Sequence, residues 1–270
     1  MRSGSEVRGS RQVTIHPTAI VHPDAELAED VEVGPFSIIE GTVKIGSRTK
    51  VGPRVSIEGH TIIGADNEFF TGAVIGSRTQ DKKFNGGTSY LRIGDRNKIR
   101  EYVTINPGTK EGTETVIGND NLLMAYSHVA HDCIIHNGTI LANSATLAGH
   151  VILEDKAIIG GLSAIHQFVR IGSLALIGGC SKVTQDVPPY MIADGHPARV
   201  YALNVVGLDR AGYSKEEKMF IRKALKIIFR SGMTLKNAML KLEEENKNHA
   251  YPSHEILASF IKSSERGICR

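Results

Sequence analysis

Residues 122–151 read LLMAYSHVAHDCIIHNGTILANSATLAGHV. An aliphatic side chain stands at every sixth position of this run: Leu123, Val129, Ile135, Leu141 and Leu147. The same run holds four of the eleven histidines in the chain. His131 and Asp132 form an adjacent pair, and Gly149 and His150 form a second pair three hexads later. A period of six fits neither a helix nor a plain alternating strand. It suits a β-solenoid, in which each hexad makes one short strand and one corner and three hexads close a triangular coil.

The same phase extends to both sides. Toward the N-terminus it runs from Ile15 through Val21, Leu27, Val33, Ile39, Ile45, Val51, Ile57, Ile63, Phe69 and Ile75, then through Ile93, Ile99 and Ile105. It resumes at Ile117 and continues past the quoted stretch to Leu153, Ile159, Ile165, Ile171, Ile177 and Val183, which makes 26 in-phase positions. Four residues after each of the early ones a small or β-branched residue recurs, such as Ala19, Ala25, Val31 and Ser37. Such a pattern predicts inward columns of aliphatic and small side chains stacked from coil to coil. Ordinary short strands in a sandwich would not hold one phase for so long.

Two polar segments break the period. Residues 77–92 (SRTQDKKFNGGTSYLR) and 107–116 (PGTKEGTETV) read as excursion loops on the scaffold, the place where binding residues concentrate. After Val183 the chain turns proline-rich, and a helix is expected from Ser214, where Ser214 and Glu217 have capping-box spacing. A second helix follows Thr234 through EEENKN, and a third follows Pro252 and Ser253. The organisation expected is therefore a mobile tail at 1–12, a solenoid at 13–190, a connecting segment at 191–213 and a helical domain at 214–270.

Composition narrows the function. With 32 basic and 29 acidic residues the charges nearly balance, which gives no reason to expect nucleic-acid binding. Three cysteines without zinc-type spacing suggest a reducing, cytoplasmic setting and no metal. No apolar run is long enough for a membrane span, and the N-terminus lacks the apolar core of a signal peptide.

In a coil of three hexads, each residue stacks over the one three hexads before it. Gly149 then lies over His131, Gln167 lies over Gly149, and His150 lies over Asp132. A histidine suits a general base. An uncovered backbone N–H at a glycine suits an oxyanion hole. A neighbouring carboxylate orients the imidazole. Together they describe base-assisted transfer of an acyl group from a thioester to a hydroxyl. Cys133 takes a small inward position and reads as core, whereas Ser127 leaves a Ser-His-Asp arrangement open. His136 and His196 read as corner or surface residues.

The hexads resemble those of the hexapeptide-repeat transferases, which implies a left-handed parallel β-helix with a C-terminal α-helical domain; the usual crossover rule alone would give the right hand. The runs IGDRNKIREYVTI, DNLLMAYSHVAHDC, ILANSATLAGHV, AIIGGLSAIHQF and QDVPPYMIADG are similar to the UDP-N-acetylglucosamine O-acyltransferase family from Val13 onward. That resemblance implies transfer of a 3-hydroxyacyl group from acyl carrier protein to the 3-position of a UDP-sugar, the first step of lipid A synthesis. It implies no cofactor and a homotrimer with sites in clefts between subunits. By the same resemblance His131 is the base, Asp132 orients it and Gly149 holds the oxyanion. His128, His150, His166 and Gln167 contact the sugar nucleotide or shape the cleft. Asp81 and Lys83 reach toward acyl chain and sugar-phosphate, Asn204 and Arg210 meet the nucleotide, and Gly179 sets acyl-chain length. The chain departs from the family pattern at Asn106, Val206 and Ala211, where His, Glu and Arg are usual. These departures leave a 3-amino sugar open as acceptor. Three rival readings are an N-acyltransferase of the same pathway, a partner-binding solenoid without catalysis, and a zinc carbonic anhydrase of the same fold. The last would use His131 and His136 but needs a third histidine, and the positions one and two coils before His131 are Thr113 and Asp95 instead.

Overall fold

The computed structural model describes residues 12–247 and 251–270. Residues 1–11 of the expected tail and the end of the expected second helix at Asn248 lie outside the described residues. Among the described residues, three sheets of eleven, nine and eight strands form the faces of a left-handed parallel β-helix. We call them sheets A, B and C; they begin with Thr14–Ile15, Ile20–Val21 and Glu26–Leu27. Each solenoid strand is only two to four residues long, and the second residue of the two-residue strands points inward. Ile39, Ile57, Ile75, Ile105, Val129, Leu147 and Ile165 thus stack under sheet B with almost no exposure. Each such aliphatic side chain removed from water contributes roughly 1.5–3 kcal/mol.

The corners explain why six residues suffice per side. Seventeen non-glycine residues, from Asp30 to Cys180, take φ values of 54–64°, and all fall at the same position of the hexad. Left-handed backbone is unfavourable by about 1 kcal/mol for a residue with a Cβ. The stacked ladders on either side hold it in place. Asp132 (φ 57°) and His150 (φ 60°) are two of these corner residues, so their side chains leave the coil in parallel directions.

The register advances by three hexads per coil except at two rungs. Val74 pairs with Thr104, and Thr104 with His128, because the excursion loops sit in those rungs. The rungs below His131 are therefore not at Thr113 and Asp95, as a uniform coil predicts, but at the mouths of the two loops. A buried amide ladder on the C–A corner carries the register past both insertions. Asn97 N donates to Asn67 Oδ1 at 2.9 Å, Asn121 N to Asn97 Oδ1 at 3.0 Å, and Thr139 N to Asn121 Oδ1 at 2.7 Å.

The segment 191–213 is more ordered than a connector. Met191–Gly195 adds to sheet A in parallel with Leu176–Ile177, then turns back as the antiparallel strand Ala198–Leu203. The prolines around it, which break the hexad, lie in the flanking turns. A short helix α1 (Val205–Arg210) follows, then α2 (Lys215–Leu225), which runs into a π-helical turn at Lys226–Arg230. Helices α3 (Leu235–Asn246) and α4 (Pro252–Lys262) complete the helical domain. Ser214 caps α2 through Glu217 N at 3.1 Å, but Glu217 does not close the reciprocal half of the capping box. Its carboxylate accepts from Ser253 N on α4 at 3.4 Å instead, a tertiary contact that the local spacing does not show. Buried Asp186 fastens the domain to the last coil: it accepts from Arg170 N at 2.8 Å and from Ser264 Oγ at 2.7 Å. The Arg170 guanidinium lies 3.9 Å over the Phe260 ring.

Candidate active site

His131 occupies the B–C corner that follows the strand His128–Val129. Its side chain retains 15% exposure and Asp132 retains 10%, so the pair is sheltered yet reachable. His131 Nδ1 donates to Asp132 Oδ2 at 2.8 Å. With Nδ1 protonated, the lone pair sits on Nε2, which faces outward toward loop 77–89. Asp81 of that loop places Oδ2 3.7 Å from Nε2. A third group, His150, puts Nε2 3.7 Å from Asp132 Oδ2 and meets His131 edge-on with ring centres 5.2 Å apart. Phe168, one coil higher, stacks flat on His150 at 4.5 Å.

Asp132 is held from below as well as above. Thr109 N, in the second loop, donates to Oδ2 at 3.2 Å. Burial pushes the Asp132 carboxyl up, but hydrogen bonds from His131 and Thr113 and the charges of His150 and His131 outweigh it. The net result is a carboxyl below the ordinary range, ionised at neutral pH. Burial lowers His150, against the pull of Asp132 and Asp81. Burial, with a smaller contribution from His131, also lowers His128, whose Nδ1 is hydrogen-bonded to Thr104 Oγ1 at 2.7 Å.

Gly149 is the tightest point of the column. A Cβ there would lie 2.4 Å from His131 Cε1 and 2.5 Å from Nε2, with no strain in its own backbone. The residue is glycine because the imidazole occupies the space. Among the described residues its N–H has no backbone acceptor, a property it shares with the equivalent corner positions His131 and Gln167. What distinguishes position 149 is that it is a buried glycine packed directly against the imidazole of His131. The arrangement brings a candidate base, an orienting carboxylate and a candidate oxyanion donor together across two adjacent rungs.

The other predicted residues fall in several places. Lys83 is exposed on the first loop, where its N–H donates to Asp81 Oδ1 at 3.0 Å. His166 and Gln167 are exposed in the coil above Gly149, with His166 Nδ1 3.2 Å from the Gln167 carbonyl. Arg210 ends α1 at the far end of the solenoid, and Val206 projects from the same helix. Three rungs separate that end from His131, on the order of 15 Å at strand spacing. Asn204 is buried, and both ends of its amide are used within the chain: Nδ2 donates to Leu174 O at 2.8 Å and Oδ1 accepts from Gly207 N at 2.9 Å. Its geometry is that of a helix cap facing inward. Asn106 is likewise turned inward, donating to Ser77 O at 2.9 Å, so the departure there concerns loop packing. Ala211 is the C-cap residue of α1 and packs against the core. Gly179 lies on the A–B corner, where a Cβ would meet only Gly161 O at 3.4 Å, an ordinary contact. The fold does not require glycine at 179, in contrast to 149.

The rival chemistries lose their geometry. Ser127 is fully buried and its hydroxyl is bonded to no histidine. Cys133 is buried, its thiol pushed up to about 12 by burial. Among the described residues, the group close enough to share an ion is His131, Asp132 and His150, and His136 is not of it. Sequence reasoning missed Thr109, for which a loop position gave no signal. It also missed Phe168, although its place one coil after His150 marks it as part of the column.

Comparison with known proteins agrees in both halves of the chain. Residues 114–149 match the family described as bacterial transferase hexapeptide (six repeats), and residues 186–269 match UDP N-acetylglucosamine O-acyltransferase, domain 2. A protein of Trichlorobacter lovleyi named acyl-[acyl-carrier-protein]–UDP-N-acetylglucosamine O-acyltransferase is 55% identical over 262 residues, covering 96% of this chain and all of that one. A protein of the same name from a Janthinobacterium strain is 50% identical over 259 residues, covering 95% and 99%. The crystal structure of a UDP-N-acetylglucosamine acyltransferase from Bacteroides fragilis superposes with a TM-score of 0.92 at 44% identity, covering 95% and 100%.

Proposed function

We propose base-assisted acyl transfer at His131 as the chemistry of this chain, which belongs to the UDP-N-acetylglucosamine O-acyltransferase family. It is an acyl-[acyl-carrier-protein]–UDP-N-acetylglucosamine O-acyltransferase, the enzyme of the first step of lipid A synthesis. The observation that carries the mechanism is His131, with Nδ1 held by Asp132 at 2.8 Å and Nε2 turned toward Asp81, packed under a glycine of the next coil whose N–H has no backbone acceptor among the described residues.

In the reaction, Nε2 of His131 takes the proton of the sugar 3-hydroxyl as its oxygen attacks the thioester carbonyl of the 3-hydroxyacyl carrier protein. The carbonyl electron pair moves onto oxygen, where the Gly149 N–H stabilises it. Collapse of the tetrahedral intermediate breaks the C–S bond, and the departing thiolate takes the proton from His131. Asp132 keeps the imidazole in the reactive tautomer and offsets its charge while it is protonated. Asp81, Lys83, His128, His150, His166, Gln167 and Arg210 are proposed to shape the cleft and hold the sugar nucleotide, and Gly179 to bound the acyl chain.

The site stands on an open corner of one chain, and we propose that two further copies close it in a cytoplasmic homotrimer. Supporting this, exposed apolar side chains gather near it: Phe168 on the same corner, and Tyr102, Tyr126 and Leu162 on the next. Among the described residues no helix is long and apolar enough to cross a membrane. Incubation of the purified chain with 3-hydroxyacyl carrier proteins and UDP-N-acetylglucosamine tests the reading. An alkali-labile ester on the sugar is expected. Transfer only to the 3-amino analogue, giving an alkali-stable amide, would contradict it.

A further inference from the structure

The two excursion loops are not independent. Loop 77–89 is pinned at both ends by loop 106–113. At its start, Asn106 Nδ2 donates to Ser77 O at 2.9 Å. At its end, Thr88 N donates to Glu111 Oε2 at 2.7 Å and Gly112 N donates to Thr88 O at 2.8 Å. Between the anchors, the hydroxyls of Thr79 and Thr109 lie 3.4 Å apart in a buried contact. Gly87 packs so close to Glu111 that a Cβ would lie 2.6 Å from Oε2.

Each loop then delivers one contact to the catalytic pair. The first brings Asp81 to 3.7 Å from His131 Nε2. The second gives the Thr109 N–H to Asp132. We propose that loop 106–113 is a positioning element for His131, and that Glu111 is the positioning residue through which it holds Asp81 beside the base. Glu111 is exposed, touches neither His131 nor Asp132, and has no part in the fold of the solenoid core. The inference rests on the function proposed above and deepens it, since both carboxylates that flank the base are set by the same insertion.

The experiment compares Glu111→Ala with Glu111→Gln, each in the wild-type and the Asp81→Ala background, by steady-state transfer to UDP-N-acetylglucosamine. Glutamine keeps an oxygen that accepts from Thr88 N and removes the charge. Glu111→Ala is expected to lower kcat by about tenfold through a displaced loop, with KM for the carrier protein within about threefold. Glu111→Gln is expected within about twofold of wild type. In the Asp81→Ala background, Glu111→Ala is expected to cause no further loss, because its effect passes through Asp81. Thermal melting of all variants near wild type accompanies these results, since the anchor is on the surface. Equal impairment of Glu111→Gln and Glu111→Ala would overturn the proposal, as would additive losses with Asp81→Ala or an unimpaired Glu111→Ala. If the wild-type chain transfers acyl groups and any of these overturning results appears, only this inference falls; a wild-type chain that transfers nothing overturns the functional reading and this inference together.

Discussion

Gly149→Ala separates the position of the proposed base from the presence of the proposed oxyanion donor. Alanine keeps the N–H at residue 149 and adds one methyl group. That methyl would stand 2.4 Å from His131 Cε1 and 2.5 Å from Nε2. Restoring an ordinary contact of about 3.4 Å requires the ring to move by ~1 Å. The imidazole cannot move that far and keep its 2.8 Å hydrogen bond to Asp132. A misplacement of about 1 Å in a reacting group lowers the rate by roughly 10²-fold, which is about 2.7 kcal/mol of barrier. Gly149 has no left-handed φ, so alanine strains no backbone and the fold should persist. The assay is kcat/KM for transfer from acyl carrier protein to UDP-N-acetylglucosamine, beside a thermal melt. A melt near wild type with activity down by about two decades is expected. A variant within threefold of wild type would refute the claim that the space over His131 is what position 149 protects.

Gly179→Met should shift preference toward shorter acyl donors without lowering the melting temperature, since a Cβ there meets only Gly161 O at 3.4 Å; a donor series read by mass spectrometry checks it. Burial holds His128 below its ordinary value of about 6.5, so the folded state resists its protonation. The unfolded chain binds that proton first, and stability should fall as pH drops below about 6.5, a slope that urea midpoints should show flattened in His128→Gln. Asp186→Ala strips acceptors from Arg170 N and Ser264 Oγ at a buried site and should destabilise the chain by about 2–4 kcal/mol in denaturant titration. Asn97→Leu breaks the ladder between Asn67 and Asn121 and should have a cost of similar size, about 2–4 kcal/mol, in the same titration.

The solenoid was legible because its physics is periodic. A side chain such as Ile135 or Leu147 points inward only at one phase of the hexad, so the sequence of inward residues is the fold. The column of His131, Gly149 and Gln167 followed from the same count. Where the count failed, insertions were the cause. A uniform coil puts Thr113 and Asp95 beneath His131, whereas the paired strands step from His128 to Thr104 to Val74. Loop-to-loop contacts such as Thr88 with Glu111 have no period and left no signal. The strand Ala198–Leu203 exposes Arg199 and Tyr201 between less exposed neighbours, but Pro197 immediately before it masked it. The family resemblance points Asn204 toward the nucleotide and marks Asn106 as a departure from the usual His; both amides are turned inward, because a short amide beside free backbone groups is drawn to cap them.

The central claim is that His131 is the base. Its direct test is kcat for His131→Ala with saturating 3-hydroxyacyl carrier protein and UDP-N-acetylglucosamine, with a melt to show that the chain is folded. Loss of a general base should lower kcat by about 10²–10⁴-fold. Turnover near the wild-type value in a folded His131→Ala chain would contradict the account.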